Sequence, residues 1–407
     1  MSLLLSRYLE QQRALEETRP PTFNTQPLHP LAWGTVTLAL VYRAYSHGSL
    51  TMPGIIAATM TAIVHGLHPS PIPFVLLILF FLLGTTATKV KQDVKSTLTL
   101  SSTGHGSGAT TASLNRSKDH VSVPEVVKAA LPQLKPKAFA HPRSAVQVLA
   151  NSGCATLLCL LQIYVNRNIP TPVDGVRVLG CFGHPKLTPT TQQLTNILLA
   201  GIIANYAAVT ADTLSSELGI LSSFRPRSIT TMKEVAPGTN GGITSIGLFA
   251  GLAGALLMGA VSVALLPICN KSNFLAIMQG KGDPGDTDKV GLVLSIGAWG
   301  ALGSVMDSLL GALLQASVID RRSGKIVEAP GGGKVKVVAK HESDGGTGKP
   351  SREIASGRDW LTNNQINYLM ASIMTVGAMF IAGYFWKVPT QNMRAAIGRD
   401  KFGINKL

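Results

Sequence analysis

Asp212 and Glu217 are the costliest side chains in this sequence to place, because the segment that carries them, NYAAVTADTLSSELG from Asn205, closes an apolar run that begins near Leu194. A carboxylate at bilayer depth costs about 2.5–3.5 kcal/mol on insertion scales, so each needs a partner or a purpose. A third carboxylate, Asp307, lies inside the apolar run 290–316, several turns from its end. Three carboxylates near one membrane face could hold a divalent cation such as Mg²⁺ through oxygen and water ligands. The condition is geometric. On a continuous helix the spacing of Asp212 and Glu217 splays them by about 140°. They share one ion only if the helix ends or unwinds between them, and Gly219 with the serines around it predicts such an ending. The plainer alternative is that these carboxylates cap the helix or pair with Arg225, Arg227 or Lys233.

Phosphate is the natural counterpart of such a cation. The segment Pro237-Gly-Thr-Asn-Gly-Gly242 leads straight into the next apolar run. Backbone N–H groups of Gly238, Thr239, Asn240, Gly241 and Gly242, with the positive end of the helix dipole, would therefore face an anion. A simple turn is the alternative. Lys89, Lys91 and Lys95 follow the run 72–88, and Lys91 and Lys95 are i, i+4 neighbours if the helix continues. With Arg143, at the head of the run 144–164, they suit a phosphate clamp, although a solvated positive-inside flank would look the same.

Polar side chains inside the apolar runs extend this face inward. Gln147 and Asn151 follow Arg143 at i, i+4 steps, and Gly201, Asn205, Ala208, Asp212 and Ser216 form one stripe. Gly300, Ser304, Asp307, Gly311 and Gln315 fall on one side of another helix, where the glycines admit a close neighbour. Asn363 or Asn364 is expected to cap the last helix, with Asn367 facing inward one turn later. Buried amides also serve merely to bridge helices. The stretch Gly345-Gly-Thr-Gly-Lys349 resembles a nucleotide-binding loop but fails it, with Ser343 in the leading position and Pro350 where Ser or Thr is required.

The elements that position these residues are membrane helices. Of 407 residues 45% are hydrophobic and only 14% charged, the composition of an all-α polytopic bundle with polar loops. Apolar runs at 31–46, 50–66, 72–88, 144–164, 194–211, 242–268, 290–316 and 366–386 predict eight spans. The first two fall short of the 20 or so residues that cross a 30 Å core, so seven is the alternative. The chain then divides into an extension at 1–28, a membrane domain at 29–388 and a basic tail at 389–407. Low-complexity inserts at 98–118 and 326–356 are expected to tolerate shortening. The net charge of +15 sits in loops without aromatic interleaving, which argues against nucleic acid and for positive-inside topology. Loops after spans one, three, five and seven carry the larger share of the Lys and Arg, which makes that face cytosolic. Cys154, Cys159, Cys181 and Cys269 form no CxxC pair, so neither a disulfide framework nor a zinc site is expected. The N-terminus fits neither a secretory leader nor a transit peptide, which favours an endomembrane such as the endoplasmic reticulum over a plastid.

Five motifs in fixed order, AVQVLANSG at Ala145, TADTLSSELG, PGTNGG, LGSVMDSLLGALLQ at Leu302 and NNQIN at Asn363, resemble the transmembrane protein 19 family from about residue 30 to 385. That family includes the plant phytyl-phosphate kinase, which makes phytyl diphosphate with a nucleoside triphosphate. The resemblance implies a lipid-phosphate kinase acting on a phytyl or prenyl monophosphate with a nucleoside triphosphate, CTP or ATP, as donor; the carboxylates add Mg²⁺ as the expected cofactor, and no protein partner is obvious. The residues add the roles: Asp212, Glu217 and Asp307 for the metal and catalysis, the lysines, Arg143 and the glycine turn for phosphate. A transporter of an anionic solute is the alternative from another class.

Overall fold

The computed structural model describes residues 30–102, 142–167, 182, 190–266, 289–337 and 351–386. Each of the eight apolar runs forms a helix: α1 Pro30–Ser46, α2 Met52–Gly66, α3 Ile72–Lys89, α5 Ala145–Arg167, α6 Thr190–Gly219, α7 Ser245–Leu265, α8 Lys289–Leu314 and α9 Asn363–Phe385. A short α4, Gln92–Leu98, follows α3. Among the described residues six helices are long and apolar enough to cross a membrane. The two shortest runs give helices of 17 and 15 residues.

The helix α6 is the axis of the bundle. Its apolar window is 94% buried, against 22–44% in the other five. It packs against α3, α5, α7, α8 and α9. A helix hydrophobic all round belongs in such a position, and small residues let its neighbours close on it. A Cβ added at Gly300 of α8 would stand 2.8 Å from the Ala207 carbonyl, and one at Gly251 of α7 would stand 2.8 Å from that of Ala211. Close approach of this kind is how membrane helices gain packing energy without a hydrophobic driving force. It also draws α7 and α8 together around the turn of α6 that carries Asp212.

Helix ends are set by side chains. Thr244 accepts a hydrogen bond from Gly247 N at the head of α7. At the head of α9 the cap is Thr362, which forms a reciprocal capping box with Gln365. The expected asparagine cap is therefore corrected, since neither Asn363 nor Asn364 fills that position. The α6 helix also runs unbroken through Glu217 to Gly219, against the expected ending between the two carboxylates. Sustained packing on five sides holds it helical past the serines.

One face carries a small sheet in the order β1-β5-β4-β6, with β1 Leu100–Ser101, β4 Ser317–Asp320, β5 Ile326–Glu328 and β6 Arg352–Ser356. β1 runs parallel to β5, and β4 is antiparallel to both β5 and β6. A hairpin of β2 Arg227–Ser228 and β3 Gly242–Ile243 lies between α6 and α7. The described parts of the two expected inserts thus contribute β1, β5 and β6 to this sheet. Residues 103–118 and 338–350, the Walker-like stretch included, lie outside the described residues.

Candidate functional site

The helix ends bearing the expected polar residues meet at the face covered by the sheet. The ends of α3, α6 and α8 and the heads of α5 and α9 surround a cleft of about 490 Å³, lined among others by Lys95, Arg143, Gln147, Glu217, Gln315 and Asn363. A second cavity of about 240 Å³ adjoins it and shares Ser216, Gly238, Asn240, Glu328 and Asn363. Its wall holds Asp212, Asp307 and the glycine turn, and among the described residues no Lys or Arg lines it.

Asp212 and Asp307 come from neighbouring helices, and their side chains lie within hydrogen-bonding range of each other. Oδ1 of Asp307 is buried without a hydrogen-bond partner. Two ionised carboxylates this close repel strongly in a poorly solvated site, so the pair must share a proton or hold a cation. The alternative pairing with Arg225, Arg227 or Lys233 is not seen, since no such ion pair forms among the described residues. Two carboxylates with room for waters and phosphate oxygens fit Mg²⁺, which commonly takes one or two protein carboxylates. The expected three-carboxylate group does not assemble. Among the described residues no three His, Cys, Asp or Glu side chains converge as a ligand set.

Glu217 instead accepts a hydrogen bond from Lys95 Nζ at 2.7 Å, a pair only 13% and 26% exposed. Lys95 also donates to Ala87 O at 2.7 Å, so it folds α4 back onto the last carbonyls of α3. The helix does not continue from α3 into α4, because Lys91 takes a left-handed conformation with φ 45°. Lys89 and Lys91 are exposed and line neither cavity. The three-lysine clamp thus reduces to Lys95. Arg143 does reach in, its Nη2 donating to Gly84 O at 3.1 Å and to Thr88 Oγ1 at 3.0 Å. Thr88 lies 3.2 Å from Glu217 Oε1 as well, completing a relay from Arg143 to Lys95.

The glycine turn is real, but most of its donors are already used. Thr239 N donates to Ala236 O, Gly242 N to Thr239 O, and Asn240 N to Ser317 Oγ at 2.9 Å. Asn240 Nδ2 binds Ala316 O at 3.0 Å, pinning the turn to the start of β4. The amides of Gly238 and Gly241 remain, both at positive φ of 84° and 76°. A side chain at Gly241 would collide with Ala312 and approach Ser308 O at 2.7 Å. The turn therefore reads as a close backbone contact against α8, with two amides left to serve an anion.

The remaining amides divide by role. Asn205, fully buried, donates from Nδ2 to Asn151 O at 3.0 Å and accepts from Thr375 Oγ1, so it ties α6 to α5 and α9. Gln147 lines the cleft while its Oε1 accepts from Ser144 N at the head of α5. Asn364 donates to Gly331 O at 2.7 Å and anchors the segment after β5. Gln315 and Asn363 line the cleft; Asn151 and Asn367 line neither cavity. Glu328, which sequence reasoning missed, stands at the junction of both cavities at the end of β5. The residue is open to solvent there, yet the protein packed around its carboxyl, and next the Glu217 charge, push it above the ordinary range, while a hydrogen bond with Thr99 opposes this. Nothing in IVEAPGGG announces that position, which arises only when the sheet forms.

The family model for the integral membrane protein DUF92 matches residues 35–375. Protein PGR of Arabidopsis thaliana is 28% identical over 360 residues, covering 86% of this chain and 96% of that protein. An uncharacterized membrane protein of Methanocaldococcus jannaschii is 41% identical over 120 residues, 30% of this chain and 42% of its own length. No solved structure matches. The chain belongs to the DUF92 family of integral membrane proteins, the transmembrane protein 19-like family whose motifs it carries.

Proposed function

We propose that this protein is a lipid-phosphate kinase, transferring the terminal phosphoryl group of a nucleoside triphosphate, CTP or ATP, to an isoprenoid monophosphate of phytyl or prenyl type. The observation that carries the reading is the Asp212–Asp307 pair, facing an acidic cavity that opens into a larger cleft. A phosphate oxygen of the acceptor forms a bond to the γ-phosphorus. The bond from that phosphorus to the β–γ bridging oxygen breaks, and the electron pair leaves with the nucleoside diphosphate. Such chemistry asks for positioning and charge neutralisation more than covalent help. Asp212 and Asp307 would hold Mg²⁺, which when bound neutralises charge developing on the phosphate oxygens. Arg143 supplies a guanidinium fixed by Gly84 and Thr88, and the amides of Gly238 and Gly241 add donors that need no reorganisation. Glu217 holds Lys95 in place.

The test uses purified, folded protein in detergent with a panel of prenyl monophosphates and γ-labelled CTP or ATP. Transfer of label to a lipid diphosphate, abolished by EDTA and restored by Mg²⁺, is the expected result. No transfer from either donor overturns the reading. Accumulation of unmodified prenyl phosphate inside protein-loaded vesicles would support a transporter instead.

A further inference from the structure

Part of the acidic cavity's wall is built from a segment at the membrane surface. Gly219, Ser222, Phe224 and Pro226 line it, together with Thr244 at the head of α7. Phe224 is nevertheless 76% exposed, so its ring borders the cavity while most of it lies open. Just beyond Thr244, Phe249 is 72% exposed and Ile246 is also open. Gly247 is buried between them, where an added Cβ would stand 2.8 Å from Ser215 O and 3.2 Å from Gly219 Cα. The buried side of α7 therefore faces α6, and Ile246 and Phe249 look away from the bundle. On a spanning helix, that direction is lipid. Arg225 and Arg227, exposed on either side of Pro226 directly after Phe224, have no carboxylate partner among the described residues. Basic side chains beside exposed aromatics at a membrane surface suit an anionic lipid head.

We infer that the acceptor reaches the acidic cavity sideways from the bilayer, between segment 222–226 and the head of α7. Its phosphate passes Arg225, and its chain stays in the lipid against Phe224, Ile246 and Phe249. The cavity of about 240 Å³ has polar walls and gives room for a phosphate head. An isoprenoid tail keeps the stabilisation of each buried CH₂ by remaining in hydrocarbon. The substrate class is thus a membrane-dissolved phosphomonoester, selected by its head, with chain length felt only through partition into the bilayer. This rests on the kinase reading for the chemistry, while the route depends only on where Phe224, Ile246 and Phe249 sit.

Two measurements on the full chain in phosphatidylcholine vesicles test it, and neither needs turnover. In Phe224→Trp the added emission, relative to wild type with its 4 Trp, is expected to be quenched by acyl-brominated phosphatidylcholine and spared by aqueous iodide. The reverse pattern overturns the route. A prenyl monophosphate carrying a benzophenone in its chain is expected to cross-link within 222–226 or 245–249. Unlabelled C15 and C20 prenyl monophosphates and dodecyl monophosphate should compete within about threefold of one another at equal mole fraction in the bilayer. Adducts confined to other helices overturn the route, and a preference above tenfold for one chain overturns selection by head alone. Expected quenching and adducts in a protein that transfers no phosphoryl group would leave the route standing and remove the kinase reading.

Discussion

Replacing Asp212 by Asn changes one buried charge and almost no volume, so stability and chemistry should respond in opposite directions. The amide can donate to Asp307, whose Oδ1 has no partner, and no Lys or Arg lines that cavity among the described residues to lose an ion pair. A hydrogen bond to a charged group contributes about 1.5–3 kcal/mol, and the amide makes it without the proton that the metal-free carboxylate pair must take up. Metal-free Asp212→Asn is therefore expected to melt a few degrees above wild type. Wild type should in turn gain about 2.7 kcal/mol from Mg²⁺ at a hundredfold excess over its dissociation constant, a gain the variant lacks. Phosphoryl transfer should fall by about 10²–10³-fold, the scale for losing one preorganised charge-stabilising group. Melting temperature with EDTA and with Mg²⁺, and transfer rate, are read from one detergent preparation. A variant that melts lower than wild type in EDTA, or one that transfers at the wild-type rate, would refute the reasoning.

Lys95→Met should destabilise the protein by about 1–3 kcal/mol, because it removes both the Glu217 pair and the bond to Ala87 O; adding Glu217→Gln should recover part of the loss in a detergent melt. Gly241→Ala is expected to cost about 2 kcal/mol or more and most of the activity, from its φ of 76° and the contact with Ser308 O. Gly311→Ala, where an added Cβ meets Gly241 N at 3.7 Å, should be tolerated in the same assays. Glu328 binds its proton more tightly in the folded state than in the unfolded one. Its contribution is complete below the ordinary glutamate value and is lost as pH rises through the raised one. Melts at rising pH across that window should therefore fall more steeply for wild type than for Glu328→Gln.

The eight helices were legible because each is a long apolar run, and Asp212, Asp307 and the glycine turn because nothing apolar explains them. The i, i+4 pairing of Lys91 and Lys95 failed where Lys91 leaves the helical region, a local break with no proline or glycine to announce it. Glu217 was placed with the wrong partners because Gly219 and the serines after it predict a helix end, while packing by five neighbours keeps α6 intact through Glu217. The sheet was invisible for a different reason. Its strands are two to five residues long and drawn from segments far apart in sequence, so periodicity has nothing to act on, and Glu328 gains meaning only once β5 pairs with β1 and β4.

The charges around the two cavities bear on how a triphosphate could bind at all. The larger cleft is lined by Lys95, Arg143 and Lys334 against Glu217, Glu328 and Asp359, and two of those cations are already paired, Lys95 with Glu217 and Lys334 with Asp359. Arg143 alone has no direct carboxylate bond among the described residues. The adjoining cavity adds Asp212 and Asp307 and no basic side chain. A polyanion entering this neutral-to-acidic surround would meet net repulsion, and a lipid phosphate beside it would add more. One guanidinium cannot offset two phosphorylated substrates. Under the kinase reading, cations arriving with the nucleotide and settling on Asp212 and Asp307 would reverse the sign of the site, so donor affinity itself, and not only turnover, should depend on the divalent ion.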